Sequence, residues 1–214
     1  MLDTRTALLD LIATHSFRLG DFTLSSGQKS DYYIDCRITT LHAEGGRLSG
    51  LLFYETIREH FPSAVAVGGL TMGADPLVSN TASASAWAAA AHTEVLEMAA
   101  MMEMEADDEE EAPALVHGFL VRKAEKTHGT GRRVEGFLKA GADVVIVDDV
   151  CTTGGSTITA IEATRAAGMN VVGILCLVDR EQGGRANIEA AAGDAPFLSI
   201  FTASDVRKAH LALP

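Results

Sequence analysis

The chain has 214 residues, a formal net charge of −12 at pH 7, 47% hydrophobic residues and 21% charged residues. This composition is typical of a globular protein with a substantial core. The negative charge argues against a nucleic-acid-binding surface. The sequence has no long apolar run or signal-like N-terminus, and its three cysteines are widely spaced. These features predict a soluble, cytoplasmic protein without membrane contact or a disulfide framework.

The N-terminal part of the chain predicts two helices around an extended segment. Residues 4–17 form an amphipathic pattern, with these apolar residues on one side: Leu8, Leu9, Leu11 and Ile12. Residues 22–35 (FTLSSGQKSDYYID) place turn residues before an extended aromatic stretch at 32–35. A second helix is predicted over residues 44–60, before Pro62.

The rest of the chain alternates apolar runs with helical segments. Strands are predicted at residues 64–70, 115–123, 142–149, 170–180 and 197–202, and helices at 73–91, 156–168 and 203–213. Continuous apolar strands between helices predict an α/β fold with a mainly parallel sheet flanked by helices. Four strands end in polar or glycine pairs: Gly68-Gly69, Arg122-Lys123, Asp148-Asp149 and Asp179-Arg180. Because ligands bind beyond the carboxyl ends of such strands, these pairs predict one shared site.

The segment at about residues 79–113 has an unusual composition. It is rich in alanine, then in methionine, and residues 103–111 carry seven acids and no base. Either it binds a partner or regulates the protein, or it is a surface insertion with a solvated acidic end, which we favour. The sequence shows no convincing internal boundary, so a single domain is expected over residues 1–214.

The segment VVIVDDVCTTGGST, residues 144–157, combines a buried strand with two carboxylates and a hydroxyl- and glycine-rich loop. Backbone N–H groups at the start of the following helix favour an anion such as a phosphate, which glycines allow to approach closely. Asp148 and Asp149 suit sugar hydroxyls or waters on a divalent metal. Together they predict a phosphorylated sugar as ligand; the alternative is an ordinary strand–turn–helix with Asp149 as a cap.

Residues 122–133 (RKAEKTHGTGRR) hold five of the 17 lysines and arginines. The glycines of this segment allow the movement that an active-site lid requires, and clustered cations stabilise a departing polyphosphate. A basic loop on its own is more often a solvated surface, but beside a phosphate-binding loop the lid becomes the favoured interpretation.

These segments resemble the type I phosphoribosyltransferases. Residues 144–157 are similar to that family's signature for phosphoribosyl pyrophosphate (PRPP), and residues 122–129 to the mobile catalytic loop of its orotate branch. Residues 22–35, 68–76 and 177–184 also resemble that branch. The resemblance covers about residues 5–205, interrupted by the insertion. It implies the type I fold with a small N-terminal hood (about residues 1–40) and a mobile catalytic loop (about residues 122–136).

The resemblance also implies a reaction: transfer of the 5-phosphoribosyl group from PRPP to orotate, giving orotidine 5′-monophosphate and pyrophosphate in pyrimidine (UMP) biosynthesis. It implies Mg²⁺ as cofactor, held by substrate oxygens and water near the aspartates, and a homodimer whose loop reaches the partner's site. The implied catalytic residues are Lys126, His128, Asp148 and Asp149. The implied PRPP-binding residues are Arg122, Lys123, Lys126, His128, Asp148, Asp149, Val150, Cys151, Thr152, Thr153, Gly154, Gly155 and Ser156. The implied orotate-binding residues are Thr152, Arg180, Tyr33 and Lys29, with Arg180 pairing with the carboxylate.

Two positions depart from some members of the family. Those members carry a lysine where this chain has Ser25, and a Tyr-Lys pair where it has Met72-Gly73; Lys29 is a candidate replacement for one lysine. Two other functions stay open. A phosphoribosyltransferase for another base should not need Arg180 opposite a carboxylate, and a PRPP-sensing regulator would keep the phosphate loop without a lid.

Overall fold

The computed structural model describes residues 3–23, 29–102, 112–123 and 133–213. Its helices are α1 Thr4–Leu11, α2 Arg37–Thr40, α3 Ala43–His60, α4 Asp75–Met101, α5 Gly155–Ala166, α6 Gly184–Ala192 and α7 Ala203–Leu211. Its strands are β1 Phe17–Thr23, β2 Lys29–Ile34, β3 Ala66–Leu70, β4 His117–Val121, β5 Val134–Gly136, β6 Asp143–Cys151, β7 Asn170–Asp179 and β8 Phe197–Thr202. From β3 onward strands and helices alternate, except that β4, β5 and β6 follow one another directly, which confirms the predicted α/β class.

The main sheet has the strand order β5-β4-β3-β6-β7-β8. Five of its strands run parallel, and β5 is antiparallel to β4 at one edge. After β3 the chain adds β4 on one side and then β6 on the other, so the strand order reverses between β3 and β6. In open α/β sheets a reversal of this kind leaves a crevice at the carboxyl ends of the two strands, where ligands bind.

The sheet is covered on both faces by helices, as the continuous apolar strands predict. Along β6, Val145 and Val147 pack into one core with residues of α1, α3, α4 and α7. The alternate residues Val144 and Ile146 pack into the other core with α5 and α6. Because successive side chains of a strand point to opposite faces, β6 has to be apolar at every position from Val144 to Val147, before it reaches Asp148.

An antiparallel hairpin of β1 and β2 lies outside the main sheet. The predicted helix over residues 4–17 agrees with the structure except at its last residue: α1 continues into a π-helical turn (Ile12–Ser16), and β1 begins at Phe17. The buried ring of Phe17 stacks on Tyr32 at 5.3 Å and contacts His210 at 5.1 Å. These long-range contacts attach the hairpin to the body of the protein and hold Phe17 at the start of β1.

Helix α4 runs ten residues past the predicted end at residue 91, to Met101. Its first part packs against the sheet through Leu77, Val78 and Ala84, whereas from residue 86 onward most side chains are exposed. The alanine-rich part of the segment at 79–113 therefore continues a core helix, and residues 103–111 lie outside the described residues. Across the described ranges, no helix combines the length and apolar composition needed to cross a bilayer.

Candidate active site

A cleft of about 540 Å³ opens at the carboxyl ends of β3 and β6, where the strand order reverses. It is lined by Tyr33, Ile34, Asp35, Arg37, Leu70, Thr71, Met72, Gly73, Lys123, Asp148, Asp149, Val150, Thr152, Ser156 and Arg180. The hairpin and the ends of four parallel strands all contribute to this lining. The strand ends that predict one shared site therefore do meet in a single cleft, at the position that the topology favours for a ligand.

The two aspartates at the end of β6 are held by local hydrogen bonds. Oδ1 of Asp148 accepts from the backbone N–H of Asp149 (3.0 Å), and Oδ2 accepts from the hydroxyl of Thr157 (2.6 Å). Oδ1 of Asp149 accepts from the N–H of Val150 (3.0 Å). Burial, followed by the charge of Asp149, raises the pKa of Asp148 to about 7, and burial also raises the pKa of Asp149. Two close, buried carboxylates attract a cation or hydroxyl donors.

The loop after the aspartates leads directly into α5. Gly154 caps the helix with φ 82°, and an added Cβ atom there would lie 2.7 Å from Cγ1 of Ile188. Only glycine fits both the conformation and the space. Cys151 is buried beneath the loop, where burial and then Asp179 raise the pKa of its thiol to about 12. Its side chain therefore packs as a neutral group. Thr152 and Ser156, at the two ends of the loop, line the cleft, and the first N–H groups of a helix have no partner within the helix.

Arg180 brings a buried cation to the same cleft from the end of β7, with 6% of its surface exposed. Its Nε donates to the hydroxyl of Tyr32 and its Nη2 to Oγ of Ser30, both at 3.3 Å. The guanidinium also lies 4.6 Å from the centre of the Tyr32 ring. Among the described residues, no carboxylate forms an ion pair with Arg180. A buried guanidinium in this situation favours an anionic ligand.

A second arginine lies in the cleft beside the turn that follows β3. Arg37 donates from Nε and Nη2 to the carboxylate of Asp35, at 2.9 and 2.7 Å. The turn itself contains a cis peptide between Thr71 and Met72. At Gly73, an added Cβ atom would lie 2.4 Å from Oδ1 of Asp149, so this turn packs closely on the aspartate pair.

The chain is similar to known proteins over nearly its whole length. The phosphoribosyl transferase domain family matches residues 114–192. The chain is 42% identical to the orotate phosphoribosyltransferase of Thermosynechococcus vestitus over 207 residues, which are 96% of this chain and 94% of that protein. Identity to the orotate phosphoribosyltransferase of Aquifex aeolicus is 37% over 94% of this chain and 97% of that protein. The chain belongs to the orotate phosphoribosyltransferase family.

Solved structures of orotate phosphoribosyltransferases share the architecture. The enzyme of Mycobacterium tuberculosis in complex with Fe(III) dicitrate aligns with a TM-score of 0.70 and 33% identity, covering 95% of this chain and 99% of that one. Its complex with PRPP aligns with a TM-score of 0.68 and 29% identity, covering 96% and 99%. The resemblance drawn from the sequence and the type I phosphoribosyltransferase fold are thereby confirmed.

The cleft of this orotate phosphoribosyltransferase family member contains many of the predicted residues. They are Tyr33, Lys123, Asp148, Asp149, Val150, Thr152, Ser156 and Arg180. Thr153 precedes α5, Gly154 caps it and Gly155 is its first residue, and the side chain of Cys151 is buried. Lys126 and His128 lie outside the described residues. The contiguous loop and the end of β7 therefore meet in space, although 24 residues separate Ser156 from Arg180 along the chain.

Two predicted residues are placed away from the cleft lining. Arg122 forms an ion pair with Glu135 of β5 at 2.9 Å, and Lys29 donates to the hydroxyl of Thr23 across the hairpin at 2.8 Å. Sequence analysis missed Asp35 and Arg37, which do line the cleft. The sequence contains a signal that could have identified them: an acid and a base, two positions apart, directly follow the aromatic strand that carries Tyr33.

Proposed function

We propose that this protein transfers the 5-phosphoribosyl group of PRPP to N1 of orotate, releasing pyrophosphate and forming orotidine 5′-monophosphate in pyrimidine biosynthesis. The observation that carries the proposal is the composition of one cleft. Paired carboxylates, the start of α5 and the buried Arg180 lie together at the strand-order reversal. These groups match the ribose hydroxyls, a phosphate and a carboxylate respectively. The names of the relatives support the same reaction.

Asp148 and Asp149 accept hydrogen bonds from the ribose hydroxyls in this proposal. The N–H groups at the start of α5, with the hydroxyls of Thr152 and Ser156, bind the 5-phosphate. The helix dipole and the glycine backbone at residues 154–155 support this assignment. Binding at both groups fixes the ribose along the end of β6, with its C1 atom open to the base.

Arg180 pairs with the carboxylate of orotate in this proposal, and Tyr33 and Thr152 line the base pocket. Arg180 is buried and is oriented by Tyr32 and Ser30, so its charge-assisted hydrogen bonds are strong and directional. A neutral base offers no group for this cation, which favours orotate over purines or uracil. Lys29 is retained as a candidate for the rim of this pocket.

Mg²⁺ fits the donors present as a cofactor that arrives with the substrate. In the described part of the chain, no group of three or more His, Cys, Asp or Glu residues is arranged to hold a metal ion. Asp148 and Asp149 provide hard oxygen donors, and Mg²⁺ commonly keeps several waters and binds through one or two carboxylates together with substrate phosphates. When bound, it would neutralise charge on the pyrophosphate.

The chain's own residues contribute positioning and charge. Arg180 and the aspartate pair orient the base toward ribose C1, and Lys123 stabilises negative charge on the departing pyrophosphate. By resemblance, Arg122, Lys126 and His128 act with Lys123, and the loop at residues 122–136 closes over the site to exclude water. The resemblance also supports a cytoplasmic homodimer in which this loop serves the partner's site.

The test is the loss of orotate absorbance with purified protein, PRPP and Mg²⁺, beside uracil, adenine and hypoxanthine. We expect consumption of orotate alone, dependent on both PRPP and the metal. Turnover of another base would retain the PRPP site and overturn the base assignment. Tight PRPP binding without turnover of any base would instead support a PRPP-sensing regulator.

A further inference from the structure

The cations of the cleft follow the order of the strands. Arg180 follows β7, on one side of β6 and its aspartate pair. Lys123 follows β4, which lies beyond β3 on the other side of β6. A ligand whose ribose lies at the aspartates therefore has Arg180 on one flank and the ends of β3 and β4 on the other. When the base lies beside Arg180, the pyrophosphate group of PRPP lies toward the ends of β3 and β4.

The turn after β3 cannot supply a positive charge for this pyrophosphate. Residues 71–73 are Thr, Met and Gly, and none is cationic. Gly73 has no room for a longer side chain, because even a Cβ atom would lie 2.4 Å from Oδ1 of Asp149. A phosphate next to this turn also lies near the negative Asp149. A compensating cation has to come from another element of the structure.

Arg37 provides a cation at this position. It lines the cleft together with Met72 and Gly73, and it borders a second groove of about 480 Å³ that also contains Met72. Its guanidinium is therefore on the β3 side of the aspartate pair. Asp35, and to a smaller extent Asp149, raise the pKa of Arg37, so the group stays charged throughout the physiological range.

Asp35 orients Arg37 while leaving part of the guanidinium available. The carboxylate binds the edge formed by Nε and Nη2, at 2.9 and 2.7 Å. Within the described ranges no hydrogen bond from Nη1 is observed, and 43% of the side chain is exposed. A planar guanidinium with one edge fixed can direct its other N–H groups at phosphate oxygens, at a lower entropic cost than a mobile lysine.

We infer that Arg37 binds the pyrophosphate group, in PRPP and in the released product, from the β3 side of the cleft, and that Asp35 holds it in place. The inference deepens the proposed function and rests on it, because it adds a contact to the PRPP site. It also gives a physical reason for an acid–base pair directly after the strand that carries Tyr33.

The test compares Arg37→Gln and Arg37→Lys with a matched control, Arg47→Gln. Arg47 forms an equivalent two-point ion pair with Glu44 on α3, with distances of 2.9 and 2.6 Å, and does not line the cleft. For each variant we would measure KM for PRPP, KM for orotate and the thermal midpoint. Calorimetric titration with pyrophosphate in the presence of Mg²⁺ gives the affinity for the product directly.

Arg37→Gln is expected to raise both the KM for PRPP and the Kd for Mg²⁺-pyrophosphate about ten- to a hundredfold, the effect of losing a charged hydrogen bond. The KM for orotate should change less than about twofold. Arg37→Lys, which keeps the charge but not the planar donor group, should be intermediate. Arg47→Gln should match the unmodified protein in all binding constants.

Unchanged pyrophosphate affinity in Arg37→Gln would overturn the inference. A parallel rise in both KM values, with a lowered thermal midpoint, would also overturn it by showing that Arg37 only supports the fold. The pyrophosphate titration needs no orotate, so it tests Arg37 even in the event that orotate turnover fails. Failure of the inference and failure of the proposed function are thus distinguishable.

Discussion

The two ends of the cleft, which we propose to bind the phosphate and the base and call the phosphate end and the base end, are built in different ways. At the phosphate end, Asp148, Thr157 and the start of α5 come from one continuous segment and are joined by hydrogen bonds within ten residues. At the base end, Arg180 is held by Tyr32 and Ser30, which are 148 and 150 residues away. The first end keeps its geometry through its own backbone, whereas the second depends on the docking of the hairpin. Substitutions at the two ends should therefore affect different substrates.

Replacing Arg180 by Gln should produce the largest effect, and on orotate alone. Loss of a buried charge that pairs with a carboxylate is expected to lower kcat/KM for orotate by about 10²- to 10³-fold. Affinity for PRPP, measured by calorimetry, should stay within about twofold, because Arg180 lies on the β7 side of the aspartates. An equal loss of PRPP affinity would show that the two ends are not separate.

Replacing Gly73 by Ala at the phosphate end should have the next largest effect, on the KM for PRPP. The new methyl group would lie 2.4 Å from Oδ1 of Asp149, so the carboxylate has to move. We expect a ten- to hundredfold rise in the KM for PRPP, since a shift of about 1 Å in a positioning group costs up to about 10²-fold. Steady-state kinetics and circular dichroism of the folded variant test this. Unchanged kinetics would mean that Asp149 does not position PRPP.

Asp148→Asn should lower activity but raise stability. The Oδ1 atom of Asn can still accept from the N–H of Asp149, its NH2 group can donate to the hydroxyl of Thr157, and the charge buried beside Asp149 is removed. The unfolding free energy at pH 7.5, without ligand, should increase by about 1 kcal/mol. Urea denaturation measures this change.

The pH dependence has a defined sign. Burial, followed by the charge of Asp149, raises the pKa of Asp148 from 3.8 to about 7 in the folded state. Between these two pH values the folded protein therefore binds a proton at Asp148 that the unfolded chain does not bind. This contribution to stability is present below about pH 4 and is lost as pH rises to about 7. Asp148→Asn should flatten that part of the profile.

Tyr32→Phe should have the smallest effect on kinetics, a small rise in the KM for orotate with no change in the KM for PRPP. The change removes the hydroxyl that accepts from Arg180 Nε at 3.3 Å, while the ring under the guanidinium remains. One hydrogen bond corresponds to a rise of about three- to fivefold in the KM for orotate. Tyr54→Phe, which removes a hydroxyl bonded to Ala114 O at 3.1 Å, should leave both KM values unchanged. A Tyr32→Phe effect on PRPP instead would argue against this role.

Elements with strong local signals could be predicted from the sequence. The apolar runs of β3, β6, β7 and β8 and the helical pattern of α3 agree with the structure within a few residues. Elements with weak signals could not. β5 has three residues, α2 has four, and α6 begins among glycines and alanines, so none shows a clear period. β1 has no strand prediction of its own: the helical spacing of Leu8 and Ile12 predicts a helix that ends at Phe17, and the core contacts of Phe17 do not appear in that pattern.

The parallel sheet and the loop that we propose for the phosphate could be predicted from the sequence, because apolar periodicity and the segment at residues 144–157 are local properties of the chain. Three other features could not be predicted and follow from the tertiary structure. They are the distant residues that orient Arg180, the position of Arg37 beside the turn after β3, and the ion pair of Arg122 with Glu135 outside the cleft lining. These features depend on strand order and on the docking of the hairpin. Both arise from packing between segments far apart in the chain, which no local pattern encodes.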